Sequence, residues 1–271
     1  MKLSIVLSTQ QTQFQAATFT GALEANLAEI AGMGYDGAEL AIRNPELVDL
    51  ALLSDLLAKN HLAVPAIGTG QAWNDEKLSF TDADPAIRRA AIERIISHVR
   101  IAAHFDAVII IGLIRGMLRP GDDETYAVSL LCEGIQECCQ AARSFGVKLA
   151  LEPINRYECS LINTCSEGLH LVDRVKADNF GLLLDTYHMN IEEQNIEASV
   201  RSCGDRLFHF HAADSNRWYP GGGHLDFESI LSNLESTGYH GFVSGEFLPK
   251  PDALTAAKRS IEYLRSLQVN R

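Results

Sequence analysis

The chain has 271 residues, of which 46% are hydrophobic and 21% charged, values close to those of globular proteins. This composition excludes disordered, collagen-like and low-complexity chains, and the length suits one large barrel or two small domains. The 23 Lys and Arg residues against 35 Asp and Glu residues give a net charge of −12, which disfavours nucleic acid as a partner because like charges repel.

The first residues and the cysteines bear on the cellular compartment. The N-terminal segment turns polar by Ser8 and carries neither the apolar core nor the cleavage site of a signal peptide. No later apolar stretch reaches the roughly 20 residues that span a bilayer. The six cysteines form no C-x-x-C pair, and a chain of this size does not need disulfides. We therefore expect a cytoplasmic protein with free thiols and no membrane partner.

Short runs rich in Val, Ile and Leu recur along the chain, each followed by a segment in which the apolar residues have helical spacing. In chain order, the predicted strands are residues 3–8, 37–42, 62–67, 107–112, 147–152, 181–185, 207–212 and 242–247. A glycine or asparagine that would end the preceding helix stands before several of these strands.

The strands read as continuous apolar runs, which is typical of parallel sheets covered on both faces. Eight strand and helix units in about 250 residues predict a single (β/α)₈ barrel, a TIM barrel, over residues 1–271. A doubly wound sheet is the alternative. It is disfavoured because no Gly-x-Gly-x-x-Gly follows the first strand, where a dinucleotide fold needs it.

Polar residues occur near the carboxyl ends of the last four predicted strands. They are Glu152, Asp185, His211 and Glu246, each one strand and helix unit after the previous one. A barrel brings such positions together at one mouth, where active sites lie. Three carboxylates and an imidazole in one cavity would leave buried charge unpaired unless a cation lay among them.

The sequence therefore predicts one bound divalent metal ion. Three oxygen ligands and one nitrogen ligand suit Mn²⁺, Mg²⁺ or Co²⁺ better than a structural zinc ion, and we expect Mn²⁺ first among them. His209 shares a strand face with His211, but it lies further from the carboxyl end. We expect His209 to be a hydrogen-bonded histidine of the barrel interior rather than a ligand.

Four motifs together resemble the ketose 3-epimerase family, which includes the D-tagatose and D-allulose 3-epimerases of the xylose-isomerase-like barrel superfamily. These motifs are LEPINRYE (151–158), DTYHMNIEE (185–193), HFHAADSNR (209–217) with PGGGH (220–224), and GEF (245–247). Within that family, three further segments look most like the 5-keto-L-gluconate epimerases: AIGTGQA (66–72), IIGLIRG (110–116) and ADSNRW (213–218).

The resemblance implies roles for seven residues. Glu152, Asp185, His211 and Glu246 match the family's metal ligands, and Glu152 and Glu246 also match its acid and base. Three more residues match its substrate-holding positions: Glu158, His188 and Arg217.

The implied reaction inverts the hydroxyl-bearing carbon next to a ketone through a cis-enediolate. A proton must leave one face of that carbon and return to the other, while the negative charge is held. A metal ion stabilises such charge as a Lewis acid. Glu152 and Glu246, which belong to strands five and eight, would flank the substrate from two sides.

Two arginines suggest an anionic substrate. Arg43 follows strand two and Arg115 follows strand four, both at the mouth end of the barrel. In a chain of negative net charge, cations at the rim favour a keto-hexonate. The resemblance to the 5-keto-L-gluconate epimerases then implies conversion of 5-keto-L-gluconate to D-tagaturonate. The alternative is 3-epimerisation of a free ketohexose, namely D-tagatose, D-allulose or D-fructose.

Two further classes of function stay open. Metal-dependent hydrolases of abasic DNA share the superfamily, but they need several zinc ions and a basic face. A sugar-binding barrel without catalysis would not need two carboxylates on opposite sides of the metal. The sequence does not fix the oligomeric state, and a homo-oligomer is compatible with it.

Overall fold

The computed structural model describes residues 1–10, 12 and 15–269. Within these residues nine strands form one sheet in which all the pairings are parallel. The strands are β1 (Lys2–Ser8), β2 (Phe19–Thr20), β3 (Gly37–Ala41), β4 (Ala66–Gly68), β5 (Val108–Ile111), β6 (Leu149–Leu151), β7 (Phe180–Asp185), β8 (Leu207–Ala212) and β9 (Phe242–Gly245).

Eight of these strands close into a barrel. The order runs β1, β3, β4, β5, β6, β7, β8, β9, and β9 pairs with β1, so that Leu3 lies beside Val243. The two residues of β2 pair outside this ring, on the edge of β1. The predicted (β/α)₈ barrel is confirmed. β2 was not predicted, because a strand of two residues is too short to show a periodic pattern.

Helices separate the barrel strands. They are α1 (Leu23–Gly32), α2 (Leu50–Lys59), α3 (Gln71–Glu76), α4 (Pro85–Ser97), α5 (Val99–Phe105), α6 (Glu124–Arg143), α7 (Cys165–Val175), α8 (Thr186–Glu192), α9 (Ile196–Cys203), α10 (Phe227–Ser236) and α11 (Ala253–Val269). Many begin at a capping side chain, as at Asp123 before α6 and Thr164 before α7. Across the part of the chain that the structure describes, no helix has the length and apolar character needed to cross a bilayer.

Prolines set two strand boundaries that differ from the predicted ones. In the predicted strand 62–67, Ala63 forms only an isolated parallel bridge to Gly37, and the continuous strand begins at Ala66, because Pro65 has no N–H to donate to a neighbouring strand. The predicted strand 147–152 is shortened to β6, although the Glu152 N–H still donates to the Ile111 carbonyl oxygen at 3.2 Å. Pro153 then stops the pairing, which leaves the Glu152 side chain at the strand end.

The alternation of inward and outward side chains along the strands determines which residues fill the barrel interior. Ala66, Ile110, Ala150 and Leu183 pack together as one small apolar cluster. Two residues further along each of these strands, a side chain points inward again, nearer the mouth. Those next positions are Gly68, Gly112, Glu152 and Asp185. The mouth is therefore empty of side chains beside β4 and β5 and acidic beside β6 and β7.

Candidate functional site at the barrel mouth

The four ligands predicted from the sequence converge on one point. Their ligand atoms all lie within 4.8 Å of one another. Nδ1 of His211 is 3.8 Å from Oε1 of Glu152, 3.8 Å from Oδ2 of Asp185 and 3.9 Å from Oε2 of Glu246. All four residues are buried, Glu246 being the most exposed at 9%. The strand ends thus form a compact cluster of three carboxylates around an imidazole.

Among the residues that the structure describes, three atoms of this cluster have no hydrogen-bond partner: Glu152 Oε1, Asp185 Oδ2 and His211 Nδ1. A buried polar atom without a partner costs roughly 1–3 kcal/mol, so three such atoms facing one another demand an explanation. Bonds of about 2.0–2.3 Å to a divalent ion place neighbouring ligand atoms a few ångströms apart, as here. The donor set and its unpartnered atoms fit a metal ion, and these residues could hold one.

Burial changes the protonation of the cluster. It raises the pKa of Glu152 well above its usual range, and the nearby Glu246 carboxylate adds to the rise. Burial also raises the pKa of Glu246 to about 7 and that of Asp185 above its ordinary value. A divalent cation among these buried carboxylates would compensate their negative charge and favour their ionised forms.

Glu39, in the middle of β3, was not identified from the sequence. Both of its carboxylate oxygens lie 3.0 Å from Nε2 of His211, and Oε2 lies 2.8 Å from Nε2 of His209. Although burial opposes it, attraction to His211 and His209 lowers the pKa of Glu39 below its ordinary value. Glu39 therefore stays ionised and accepts a hydrogen bond from Nε2 of His211, which leaves Nδ1 as the ring nitrogen that faces the cluster.

His209 has the role expected from the sequence, a hydrogen-bonded histidine of the barrel interior. Together with Glu39 and His211 it could also form a group of metal ligands. Their separations of 2.8–3.0 Å are those of ordinary hydrogen bonds, and these bonds account for the contacts. The signal for Glu39 in the sequence was a charged residue inside an otherwise small and apolar strand, Gly-Ala-Glu-Leu-Ala.

The three expected substrate-holding residues line the same cavity as the cluster. Nη1 of Arg217 lies 3.0 and 3.1 Å from the two carboxylate oxygens of Glu158, and Nη2 lies 3.3 Å from Oε2 of Glu246. Asn155 links Glu158 to His188, since its Nδ2 lies 3.0 Å from Oε1 of Glu158 and 2.8 Å from Nδ1 of His188. Asn155, inside the motif 151–158, was not singled out from the sequence.

The backbone holds Arg217 in place. Its φ of 59° lies in the left-handed region, and its N–H donates to the Asp214 carbonyl oxygen at 2.8 Å. The Arg217 carbonyl oxygen accepts from the Leu248 N–H, also at 2.8 Å, which ties the loop after β8 to the segment after Glu246. The guanidinium lies over the Tyr187 ring, 4.9 Å from its centroid. These contacts aim the side chain at the carboxylates.

Arg43 and Arg115 do not line the cavity. The Arg43 guanidinium is 28% exposed and pairs with Asp75 at 2.9 Å and Glu76 at 3.5 Å. Arg115 is fully buried, and its guanidinium donates to backbone carbonyl oxygens. The acceptors are the carbonyl oxygens of Gly112, Glu152, Leu161 and Ile162. Both cations are thus occupied by groups of the protein itself.

The cavity measures about 590 Å³ with its open mouth, within the range of small-molecule sites. Its charged lining residues are Glu39, Glu152, Glu158, Arg217 and Glu246, with His188 and His211 beside them. The segments after β4 and β5 contribute uncharged residues such as Gly68, Thr69, Gln71 and Gly112 to the described lining. The site therefore has a charged half and a neutral half.

Comparisons with known proteins agree with this architecture. Residues 27–267 match the family model described as a xylose isomerase-like TIM barrel. The L-ribulose 3-epimerase of Methylomonas sp. is 35% identical over 225 residues, which are 81% of this chain and 76% of that protein. The D-psicose 3-epimerase of Agrobacterium fabrum is 31% identical over 223 residues, which are 79% of this chain and 75% of that protein.

A solved structure shows the same similarity in three dimensions. The D-allulose 3-epimerase of Methylomonas sp. in complex with D-allulose has a TM-score of 0.82 and 27% identity, covering 98% of this chain and 97% of that one. The family model covers most of the chain, and both curated relatives exceed 30% identity over about three quarters of their own length. The chain is an isomerase of the sugar epimerase type, and it belongs to the xylose isomerase-like TIM barrel family, as the L-ribulose and D-psicose 3-epimerases to which it is similar indicate.

Proposed function

We propose that this protein is a metal-dependent 3-epimerase of a free ketose. The observation that carries the proposal is the buried cluster of Glu152, Asp185, His211 and Glu246, with three unpartnered atoms facing one another. The names of the relatives, L-ribulose 3-epimerase and D-psicose 3-epimerase, support both the reaction and a neutral sugar as the substrate class.

The four residues of the cluster would hold one divalent ion, with Mn²⁺ our first expectation and Mg²⁺ or Co²⁺ the alternatives. When bound, this ion supplies Lewis-acid stabilisation of the negative charge that develops on the substrate oxygens. Glu39 would act behind it, because the hydrogen bond from Nε2 of His211 keeps Nδ1 free for the cluster.

Glu152 and Glu246 would carry the proton transfers. They follow β6 and β9, with β7 and β8 between them, so their carboxylates enter the cavity from different sides. One carboxylate would remove the proton from C3 of the ketose, giving an enediolate, and the other would return a proton to the opposite face. Oε1 of Glu152 lies 3.7 Å from Nε2 of His188, and Glu246 lies beside Arg217, so each carboxylate has its own polar neighbour.

Glu158, His188 and Arg217 would hold the substrate hydroxyls near the two carboxylates. They line the cavity, and Asn155 fixes Glu158 and His188 relative to each other through one amide group. A linked set of donors and acceptors suits a polyhydroxylated ligand, because a buried hydroxyl needs a partner at the site. Small-molecule specificity of this kind requires few polar groups, each in a fixed position.

The keto-hexonate hypothesis rested on a resemblance of three segments and on Arg43 and Arg115, and neither arginine lines the cavity. Arg43 is engaged by Asp75 and Glu76, and Arg115 by buried carbonyl oxygens. Arg217 is a cation of the cavity, but it faces the carboxylates of Glu158 and Glu246. A substrate carboxylate would therefore have to compete with protein carboxylates, which favours the neutral ketose.

The direct test is an assay of the purified protein with Mn²⁺ on D-fructose, D-tagatose, L-ribulose and 5-keto-L-gluconate, with products separated by chromatography. We expect C3 epimers of one or more neutral ketoses, loss of activity on chelation and recovery when Mn²⁺ is restored. Turnover of the keto acid in preference to every neutral sugar would contradict the proposal.

Asp185→Asn serves as the metal variant in the same test. Asparagine keeps the oxygen that caps α8, where Oδ1 of Asp185 accepts from the Tyr187 N–H at 2.7 Å, but it removes the negative charge. Loss of a residue that only hydrogen-bonds to a metal ligand lowers metal affinity by about 10- to 100-fold. The Mn²⁺ affinity of Asp185→Asn, measured by equilibrium dialysis, should fall by more than that. Unchanged affinity would refute the ligand assignment.

Glu246→Gln separates proton transfer from metal binding. The amide oxygen remains as a ligand atom but cannot act as a base, so kcat for the preferred ketose should fall by about 10²- to 10⁴-fold, with a smaller loss of Mn²⁺ affinity. Glu137→Gln is the control, because it also removes one negative charge, but from an exposed ion pair with Arg89. A Glu246→Gln enzyme with kcat close to that of the wild type would exclude the assigned role.

Arg115 and Arg43 should differ in their effect on stability, not on substrate choice. Arg115→Met removes the hydrogen bonds that the buried guanidinium donates to four carbonyl oxygens and should lower the free energy of unfolding by about 2–5 kcal/mol in a urea titration. Arg43→Ala breaks partly exposed ion pairs and should cost no more than about 1 kcal/mol. A selective loss of keto-acid turnover in either variant would instead indicate a carboxylate-binding role.

A further inference from the structure

The neutral half of the cavity holds a polar atom that the proposed mechanism leaves unused. Gln71, the first residue of α3, lines the cavity and is 3% exposed, and its Oε1 has no hydrogen-bond partner in the described part of the chain. It follows β4, which is four places from β8 in either direction around the closed barrel. Gln71 therefore lies across the barrel from His211 and its cluster.

The hydrogen bonds around Gln71 fix the orientation of its amide. Oγ of Ser8 donates to the Gln10 carbonyl oxygen at 2.6 Å, which uses the single hydroxyl hydrogen of Ser8. Ser8 can then only accept, and it accepts from Nε2 of Gln71 at 2.9 Å. The amide nitrogen must face Ser8, so the unpartnered atom is the carbonyl oxygen. It can accept a hydrogen bond but cannot donate one.

The residues that precede Gln71 in the cavity lining are uncharged. Gly68, Thr69 and Gly70 precede Gln71 in the cavity lining, and Oγ1 of Thr69 donates to the Ile110 carbonyl oxygen at 2.7 Å. A neutral acceptor in such a wall is satisfied by an O–H group. A carboxylate has no hydrogen to donate and would place its own negative oxygens against the amide oxygen. The wall is thus suited to a hydroxyl and unsuited to an acid.

We propose that Gln71 determines specificity by accepting a hydrogen bond from a hydroxyl on C5 or C6 of the bound ketose. With the carbonyl end and C3 at the cluster, the other end of the sugar chain extends across the barrel to this wall. The inference rests on the proposed ketose 3-epimerase function and deepens it. If the bound hydroxyl is that of C6, the same amide oxygen also disfavours a terminal carboxylate in its place.

The test compares kcat/KM for the preferred ketohexose and its 5-deoxy and 6-deoxy analogues in the wild type and in Gln71→Leu. The wild type should lose about 10- to 100-fold on one of the two analogues, because Oε1 then has no donor. In Gln71→Leu, kcat/KM for the parent sugar should fall by a similar factor. The kcat/KM values of this variant for the parent sugar and for that analogue should lie within about threefold of each other. Gln71→Met offers the same comparison if the leucine variant folds poorly.

Ser8→Ala is the matched control. It removes the partner of the Gln71 amide nitrogen but keeps Oε1, so the discrimination against the deoxy analogue should persist even if overall activity is lower. Equal discrimination in Gln71→Leu and the wild type, or none in the wild type, would overturn the role of Gln71. If the wild-type enzyme epimerises no ketose, the proposed function itself fails, and that result is obtained before any variant is made.

Discussion

The site depends on the interaction between Glu39 and His211 at the centre of the barrel. A carboxylate buried this deeply is costly unless it is paired, and Glu39 is paired with two imidazoles through contacts of 2.8–3.0 Å. The pairing engages Nε2 of His211 and turns Nδ1 toward the three carboxylates of the cluster. Although burial opposes it, attraction to Glu39 and Glu246 raises the pKa of His211 well above its ordinary value. A divalent cation bound there would replace the proton on Nδ1 and take that nitrogen as a ligand.

A second constraint is the alternation of side chains along parallel strands. The inward positions nearest the mouth are glycines on β4 and β5 and carboxylates on β6 and β7. The glycines leave room for a ligand, and the carboxylates provide charge. A ketose has the same polarity along its chain, with a reactive carbonyl end and a neutral hydroxylated end. The shape and the charge of the cavity therefore favour the same orientation of a bound sugar, with its carbonyl end at the carboxylates.

Much of the fold and the cluster was accessible from the sequence. Continuous apolar runs at regular spacing gave the eight barrel strands, and Glu152, Asp185, His211 and Glu246 stand at the strand ends, where barrel geometry collects them. Glu39 was missed because it lies within a strand, where its partners come from the opposite wall, about 170 residues later in the chain. Gln71 was missed because only the hydrogen bonds of Ser8 reveal which of its atoms is unpartnered.

The arginines show a different limit of sequence reasoning. Their positions after β3 and β5 placed Arg43 and Arg115 at the mouth end, but position along a chain does not give the direction of a long side chain. The Arg43 side chain pairs with the two acidic residues of α3, and the Arg115 side chain donates to the carbonyl oxygens of residues 161 and 162. Both directions depend on tertiary contacts. Because neither arginine lines the cavity, we now expect a neutral sugar rather than an acid as the substrate.

In the proposed reaction, Glu152 and Glu246 would exchange the C3 proton of a ketose with solvent from two sides. The conversion of the preferred ketose in D₂O, stopped early and followed by NMR, tests this directly. We expect product that carries deuterium at C3, because the proton that leaves one face is not the one returned to the other. Product with undiluted protium at C3 would show direct internal transfer of hydrogen and would contradict the two-carboxylate mechanism.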